Sequence, residues 1–162
     1  MTMLFQAMQA EGIKMKRTLA LVMTFIAPLL IALLIFAMFI QHSDYYVVPE
    51  GVNPWMRFSQ NIFIYWNLIM APLYITLETA LLSQLEHSHK NWKLLYTLPT
   101  RRWAIYAAKQ LISMALIALS MVFMIGLMVG TGKFLQILMP KFGFDAPIPW
   151  TVTIKYAILT YL

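Results

Sequence analysis

The side chains of this sequence that could do chemistry fall into a few small groups, and spacing limits each of them. Glu86, His87 and His89 suggest a metal site, but histidines at i and i+2 do not share a helix face, and the remaining histidine, His42, is an entire apolar run away. His42, Ser43 and Asp44 carry the residue types of a hydrolytic triad, yet they sit side by side in a loop with nothing to mark an oxyanion hole. The nearest approach to a phosphate loop is Gly126 to Phe134. A nucleotide-binding loop needs four residues between its first glycine and the Gly-Lys pair, then a hydroxyl; here five residues intervene before Gly132-Lys133, and Phe134 replaces the hydroxyl. No nucleotide is expected on this chain, and any ATP must be hydrolysed by another. Gly126 and Gly130 do form a G-x-x-x-G pair, which reads as a close helix contact. The thirteen methionines are scattered without a repeated register and read as packing filler.

Glu78 is different, because it interrupts an apolar run. A carboxylate at membrane depth is costly and faces a bundle interior, a partner or water. Since it lies a turn or so from the end of its run, reaching out to the interface is its simplest placement.

The elements that must position these groups are membrane spans. Of 162 residues, 61% are hydrophobic and 11% charged, against roughly 45–50% and about 25% in soluble domains. The apolar residues are gathered into uncharged runs of about the 20 residues needed to cross a bilayer as helix. Spans are expected at about 18–40, 60–82 and 103–130, with residues 41–59 a surface loop whose Tyr45, Tyr46 and Trp55 are interfacial aromatics. Pro28 marks a kink inside the first span. Residues 3–15 alternate Leu4, Phe5, Met8 and Ile13 with Gln6, Gln9, Glu11 and Lys14, the pattern of an interfacial helix. The segment from Thr151 to Leu162 reaches only about 18 Å as helix, so the chain is expected to stop inside a fourth span and the natural sequence to continue past Leu162. These features predict one all-helical polytopic transmembrane domain, 1–162, without an internal repeat and incomplete.

Charge sets its orientation. The net charge of +6 comes from basic residues at span ends, where they meet lipid headgroups; no basic face with interleaved aromatics suggests nucleic acid. Lys and Arg alternate three, one, four and two along the flank and successive loops, which places the N-terminus and the 83–102 loop in the cytoplasm of a multi-pass cell-membrane protein. With no cysteine, disulfides and thiolate metal sites are excluded.

The 83–102 loop is the most informative segment. Glu86, then Trp92-Lys93-Leu94-Leu95 and Tyr96, then Leu98-Pro99-Thr100-Arg101-Arg102, with Lys109 opening the next helix, resembles the cytoplasmic loop between spans two and three of ABC-2 type exporter permeases. The approach to the first span, with Glu11, Lys14, Lys16 and Arg17 ahead of Ala27-Pro28, is similar to the same family, close to its lantibiotic-immunity and bacitracin-type branch. The resemblance implies an interfacial N-terminal helix and a six-span fold of which this chain is the N-terminal part. It implies a permease without its own cofactor or catalytic residues, paired with a separate ATP-binding subunit and with a like or unlike permease, in contact with membrane lipid, exporting an amphiphilic antimicrobial peptide or lipid-like compound. In that family the loop acts as a coupling helix docking on the ATPase. Its own composition agrees, since Trp92, Leu95 and Tyr96 are apolar, Lys90, Lys93, Arg101 and Arg102 basic, and Pro99 ends the segment. Two other readings remain open: a basic loop that only fixes orientation, and a membrane adaptor or sensor holding a cytosolic partner without moving a substrate.

The orientation is testable directly. A reporter fused after Lys90 is expected to be cytoplasmic and one fused near Glu50 extracytoplasmic; both on one side would overturn the arrangement of spans.

Overall fold

The computed structural model describes Gln9 and residues 18–49, 51–87 and 102–161. All regular structure among them is helical. Helix α1 is Leu19–Gln41, α2 the single turn Ser43–Tyr46, α3 Pro54–Tyr65; a wide π turn, Trp66–Met70, joins α3 to α4, Ala71–His87. Then come α5, Arg102–Leu138, a 3₁₀ turn at Pro140–Phe142, and α6, Trp150–Tyr161. Among the described residues three stretches are long and apolar enough to cross a membrane: Leu19–Gln41, Pro54–Gln84 and Tyr106–Leu138. Of residues 3–15 only Gln9 is described; Glu11 and Lys14, and beyond them Lys16 and Arg17, lie outside the described residues.

Ring contacts give the topology. Phe25 meets Phe123 and Phe36 meets Phe134, at centroid distances of 5.1 and 5.7 Å, so α1 and α5 run parallel. Thr24 meets Tyr74 near one end of α1 and Phe39 meets Phe58 near the other, so α3–α4 runs antiparallel to both. Leu29, Leu33, Leu68 and Ile137 point outward, as expected where lipid replaces water.

The helices overrun the expected spans, α4 reaching His87 rather than ending near residue 82. Helix α3 starts at Pro54 rather than near residue 60 because Asn53 caps it, its Oδ1 accepting from the Trp55 N–H at 3.0 Å, and because proline at the first position has no N–H to lose. Helix α5 has 37 residues, about 55 Å, against a hydrocarbon core of ~30 Å, so it projects well past the bilayer. Gly130, Gly132 and Lys133, read from sequence as the approach to a loop, lie inside it. The whole Gly126–Phe134 stretch is helical and forms no phosphate loop.

What holds the projecting end is an aromatic cap. Phe39 stacks on Tyr46 at 4.2 Å and meets Phe58 edge-on at 5.0 Å; Trp55 meets Phe144 at 4.9 Å and donates its indole N–H to the Phe144 carbonyl at 3.1 Å. Trp55 and Tyr46 are therefore buried, not interfacial as their loop position suggested. Asn53 donates to the Pro147 carbonyl, and Lys141 reaches Ser43 Oγ at 2.8 Å and Asp44 at 3.3 Å, tying the first loop to the third. Gly143, with φ near +70°, supplies the left-handed turn that brings Phe144 back over Trp55. Arg57 lies over the rings of Tyr45 and Tyr46, and burial holds the Tyr46 phenol above its ordinary pKa, Tyr65 and Tyr45 adding to the rise and Arg57 opposing it.

The close helix approach is made by a different glycine from the expected pair. A Cβ at Gly126 or Gly130 would meet nothing, whereas one at Gly132 would run into the six-membered ring of Trp55. Gly132→Ala is expected to destabilise the fold by about 1–3 kcal/mol through overpacking. Gly130→Ala is expected to be neutral or stabilising by up to about 1 kcal/mol, since it only gains helix propensity. Denaturant unfolding of the purified protein in mixed micelles compares the two, and equal effects would contradict this packing.

Candidate functional site

Toward the opposite end from the aromatic cap, α1, α4 and α5 enclose a line of polar side chains. Thr24, Tyr74, Glu78 and Ser120 are all essentially inaccessible. Their placement follows from helical spacing: Tyr74 and Glu78 are four apart on α4, Ser113 and Ser120 seven apart on α5, and Thr24 faces both from α1. Apolar neighbours, Ala20 and Leu116 with Leu81, Leu82 and Ile112 around them, close the seam beyond Glu78.

Most of these groups satisfy themselves. The Ser120 hydroxyl donates to the Ile117 carbonyl at 2.7 Å within its own helix. Thr24 Oγ1 bonds back to the Ala20 carbonyl at 3.0 Å and shares a second 3.0 Å hydrogen bond with the Tyr74 hydroxyl, the polar link between α1 and α4. Pro28 has no N–H to give to the Thr24 carbonyl one turn back, so the ladder of α1 is interrupted where its side chain is taken by a neighbour.

Glu78 is the exception. It is fully buried, and neither carboxyl oxygen has a hydrogen-bond partner; the Tyr74 and Ser113 hydroxyls flank it without making one. The placement reaching out to the interface, expected from sequence, is overturned. Helix α4 continues nine residues past Glu78, to His87, so the carboxyl lies about 13 Å from the helix end and too deep to reach it. Glu78 was identified from sequence as an intramembrane polar residue, whereas its companions Thr24, Tyr74, Ser113 and Ser120 were not. The signal was present as the i, i+4 and i, i+7 spacings, but pairing the stripes needs the helix order.

A second polar line joins α3 to α6. Gln60 donates to the Tyr156 hydroxyl at 3.1 Å and Asn67 to Thr160 Oγ1 at 3.0 Å, beside a groove of about 410 Å³. Of the 83–102 loop only the edges are described. Glu86 lies in the last turn of α4 and Arg102 opens α5, while Trp92, Lys93, Leu94, Leu95, Tyr96, Pro99 and Arg101 lie outside the described residues.

Three bilayer-length apolar helices enclosing a polar seam define a polytopic helical membrane protein. Residues 7–162 match the family model of the ABC-2 family transporter proteins, and the chain belongs to that family. No curated protein and no solved structure matches it. Members are membrane-embedded transport subunits rather than catalysts, and they associate with an ABC ATPase subunit.

The Thr24–Tyr74 bond is testable by a double-mutant cycle. Thr24→Val and Tyr74→Phe are expected to couple by about 0.6 kcal/mol, and by no more than about 1.7, in micelle unfolding; strict additivity would show that the bond contributes nothing.

Proposed function

We propose that this chain is the permease subunit of an ABC-2 exporter that moves an amphiphilic substrate, an antimicrobial peptide or a lipid-like compound, in the manner of the lantibiotic-immunity and bacitracin-type branch. In this reading its power comes from ATP hydrolysed on a separate subunit, and its N-terminus is cytoplasmic. The observation that carries it is the family match over nearly the whole chain, together with three spans of which the second and third flank the 88–101 segment. That segment has the composition of a coupling helix: Trp92, Leu95 and Tyr96 supply an apolar ridge, and Lys93 and Arg101 a basic margin for a cytosolic partner. Export of amphiphiles suits spans whose outward faces are rich in large apolar side chains, because such a substrate is already concentrated in the lipid around them. The permease would act as a dimer, of like or unlike subunits. The chain is read as one transmembrane domain, with Glu11, Lys14, Lys16 and Arg17 as its interfacial approach.

Trp92 is expected to be the docking anchor, since a large amphipathic ring at the centre of a contact typically costs about 2 kcal/mol or more on truncation. In the complete transporter, Trp92→Ala is expected to weaken ATPase association roughly thirtyfold, or to uncouple hydrolysis from transport, with membrane insertion unchanged. Met38→Leu in the first span is expected to do neither. Normal association and transport by Trp92→Ala, with Lys90 and Arg101 substitutions disturbing only topology, would reduce the loop to an orientation signal.

A further inference from the structure

Glu78 has no assigned role in transport or docking, yet it occupies the most improbable place for its chemistry. An ionised carboxylate moved from water into a medium of low dielectric loses several kcal/mol even after relaxation, unless a cation or several donors replace its hydration. Here both oxygens lack a hydrogen bond and the residue has no accessible surface. The charged and titratable groups on the packed elements do not supply the missing compensation. Helix α1 carries no charged residue at all. On α4 the neighbour one turn away is Tyr74, whose hydroxyl is engaged by Thr24, and on α5 the facing groups are the neutral hydroxyls of Ser113 and Ser120. Lys109 stands four residues before Ser113, half-buried and with contacts of its own. The side chains of Glu86 and Arg102 lie outside the described residues.

We propose that Glu78 is a proton-binding site: its carboxyl carries a proton while α1, α4 and α5 are packed together, and releases it when the seam between them opens. The chemistry balances without any further reagent. When the helices part, water enters, the carboxyl O–H bond breaks, the proton passes to that water, and the carboxylate left behind is hydrated. When they close again, re-protonation is the condition for expelling the water. The bond most exposed to such a motion is the Thr24–Tyr74 link, one turn from Glu78 and beside the interruption at Pro28. The inference stands on burial and geometry, so it needs neither the substrate nor the ATPase, and its failure would leave the exporter reading untouched.

Infrared spectroscopy of the full chain in lipid nanodiscs tests it. At about pH 8, well above the ordinary glutamate pKa of roughly 4.3, the wild type is expected to show the carbonyl band of a protonated carboxyl, absent from Glu78→Gln. The five other acidic residues, Asp44 and Asp145 among them exposed, are present in both proteins and cancel in the difference spectrum. The Gln variant, neutral and of the same shape, is expected to keep the fold. On transfer to D₂O the band is expected to shift slowly, at the rate the seam opens, and faster in Ala20→Trp, where a ring forced against Leu116 wedges α1 from α5. Identical wild-type and Glu78→Gln spectra would overturn the proposal, as would a Gln variant that cannot fold. An immediate shift in D₂O would show a carboxyl already open to water and overturn it as well, even if the wedge variant fails to fold.

Discussion

Hydrocarbon offers no hydrogen bonds, and nearly every feature of this chain follows from that constraint. Backbone groups at membrane depth are met inside helices, which is why the described residues form long helices joined by short turns. Side-chain hydroxyls obey the same rule. Thr76, Thr79, Ser120 and Thr131 fold back onto carbonyls three or four residues earlier in their own helices, becoming nearly apolar toward their surroundings. Where two helices approach closely a polar side chain looks across instead, as the Thr24 hydroxyl does to Tyr74 and the Asn67 amide does to Thr160. Against this background the unbonded carboxyl of Glu78 is the conspicuous departure among the described residues.

The two ends of the bundle are held by different physics. Beyond the bilayer, burial of apolar surface regains its usual driving force, and there the chain concentrates its large rings: Phe39, Tyr46, Trp55, Phe58, Phe142 and Phe144 interlock around one indole hydrogen bond. Within the bilayer that force is absent between helices, and association rests on close packing plus isolated hydrogen bonds. The cap is thus the better anchored end. The Glu78 end has small residues, Ala20 among them, and the Thr24–Tyr74 bond between α1 and α4.

Fold class was legible because span length and charge placement are properties of single segments. The three long apolar runs announce themselves by composition, and the family resemblance carried by Trp92-Lys93, Leu98-Pro99 and Arg101-Arg102 agrees with the family match. The ends of the spans were less legible. Asn53-Pro54 reads equally as a loop or as a cap followed by a first helical position, and only the packing of Trp55 decides between them. Gly132 looks like a helix breaker until a ring is placed against it. Glu78 was noticed but misplaced, since its depth depends on how far α4 continues, and the Ser, His and Lys residues after Leu82 look like loop.

The π turn at Trp66–Met70 has a consequence for phase. An α-helix advances 100° per residue, so Tyr74, eight residues after Trp66, would stand about 80° around the axis from it in an unbroken helix. A turn that absorbs one extra residue makes those eight positions count as seven, and the mismatch shrinks to about 20°. The two rings accordingly lie on one side, with centroids 6.1 Å apart. The turn works as a clutch between two gears: upstream of it the helix is timed to the aromatic cap, through Trp55, Phe58 and Ile62, and downstream to the polar seam, through Tyr74 and Glu78. Pro72, which cannot supply the next ladder bond, lies just after it, where the slip between the two timings is least costly. Were the same residues wound as unbroken α-helix, they would still make an apolar helix of ample length to cross the bilayer, but Glu78 would turn by about a quarter of a revolution, from the protein interior toward the lipid.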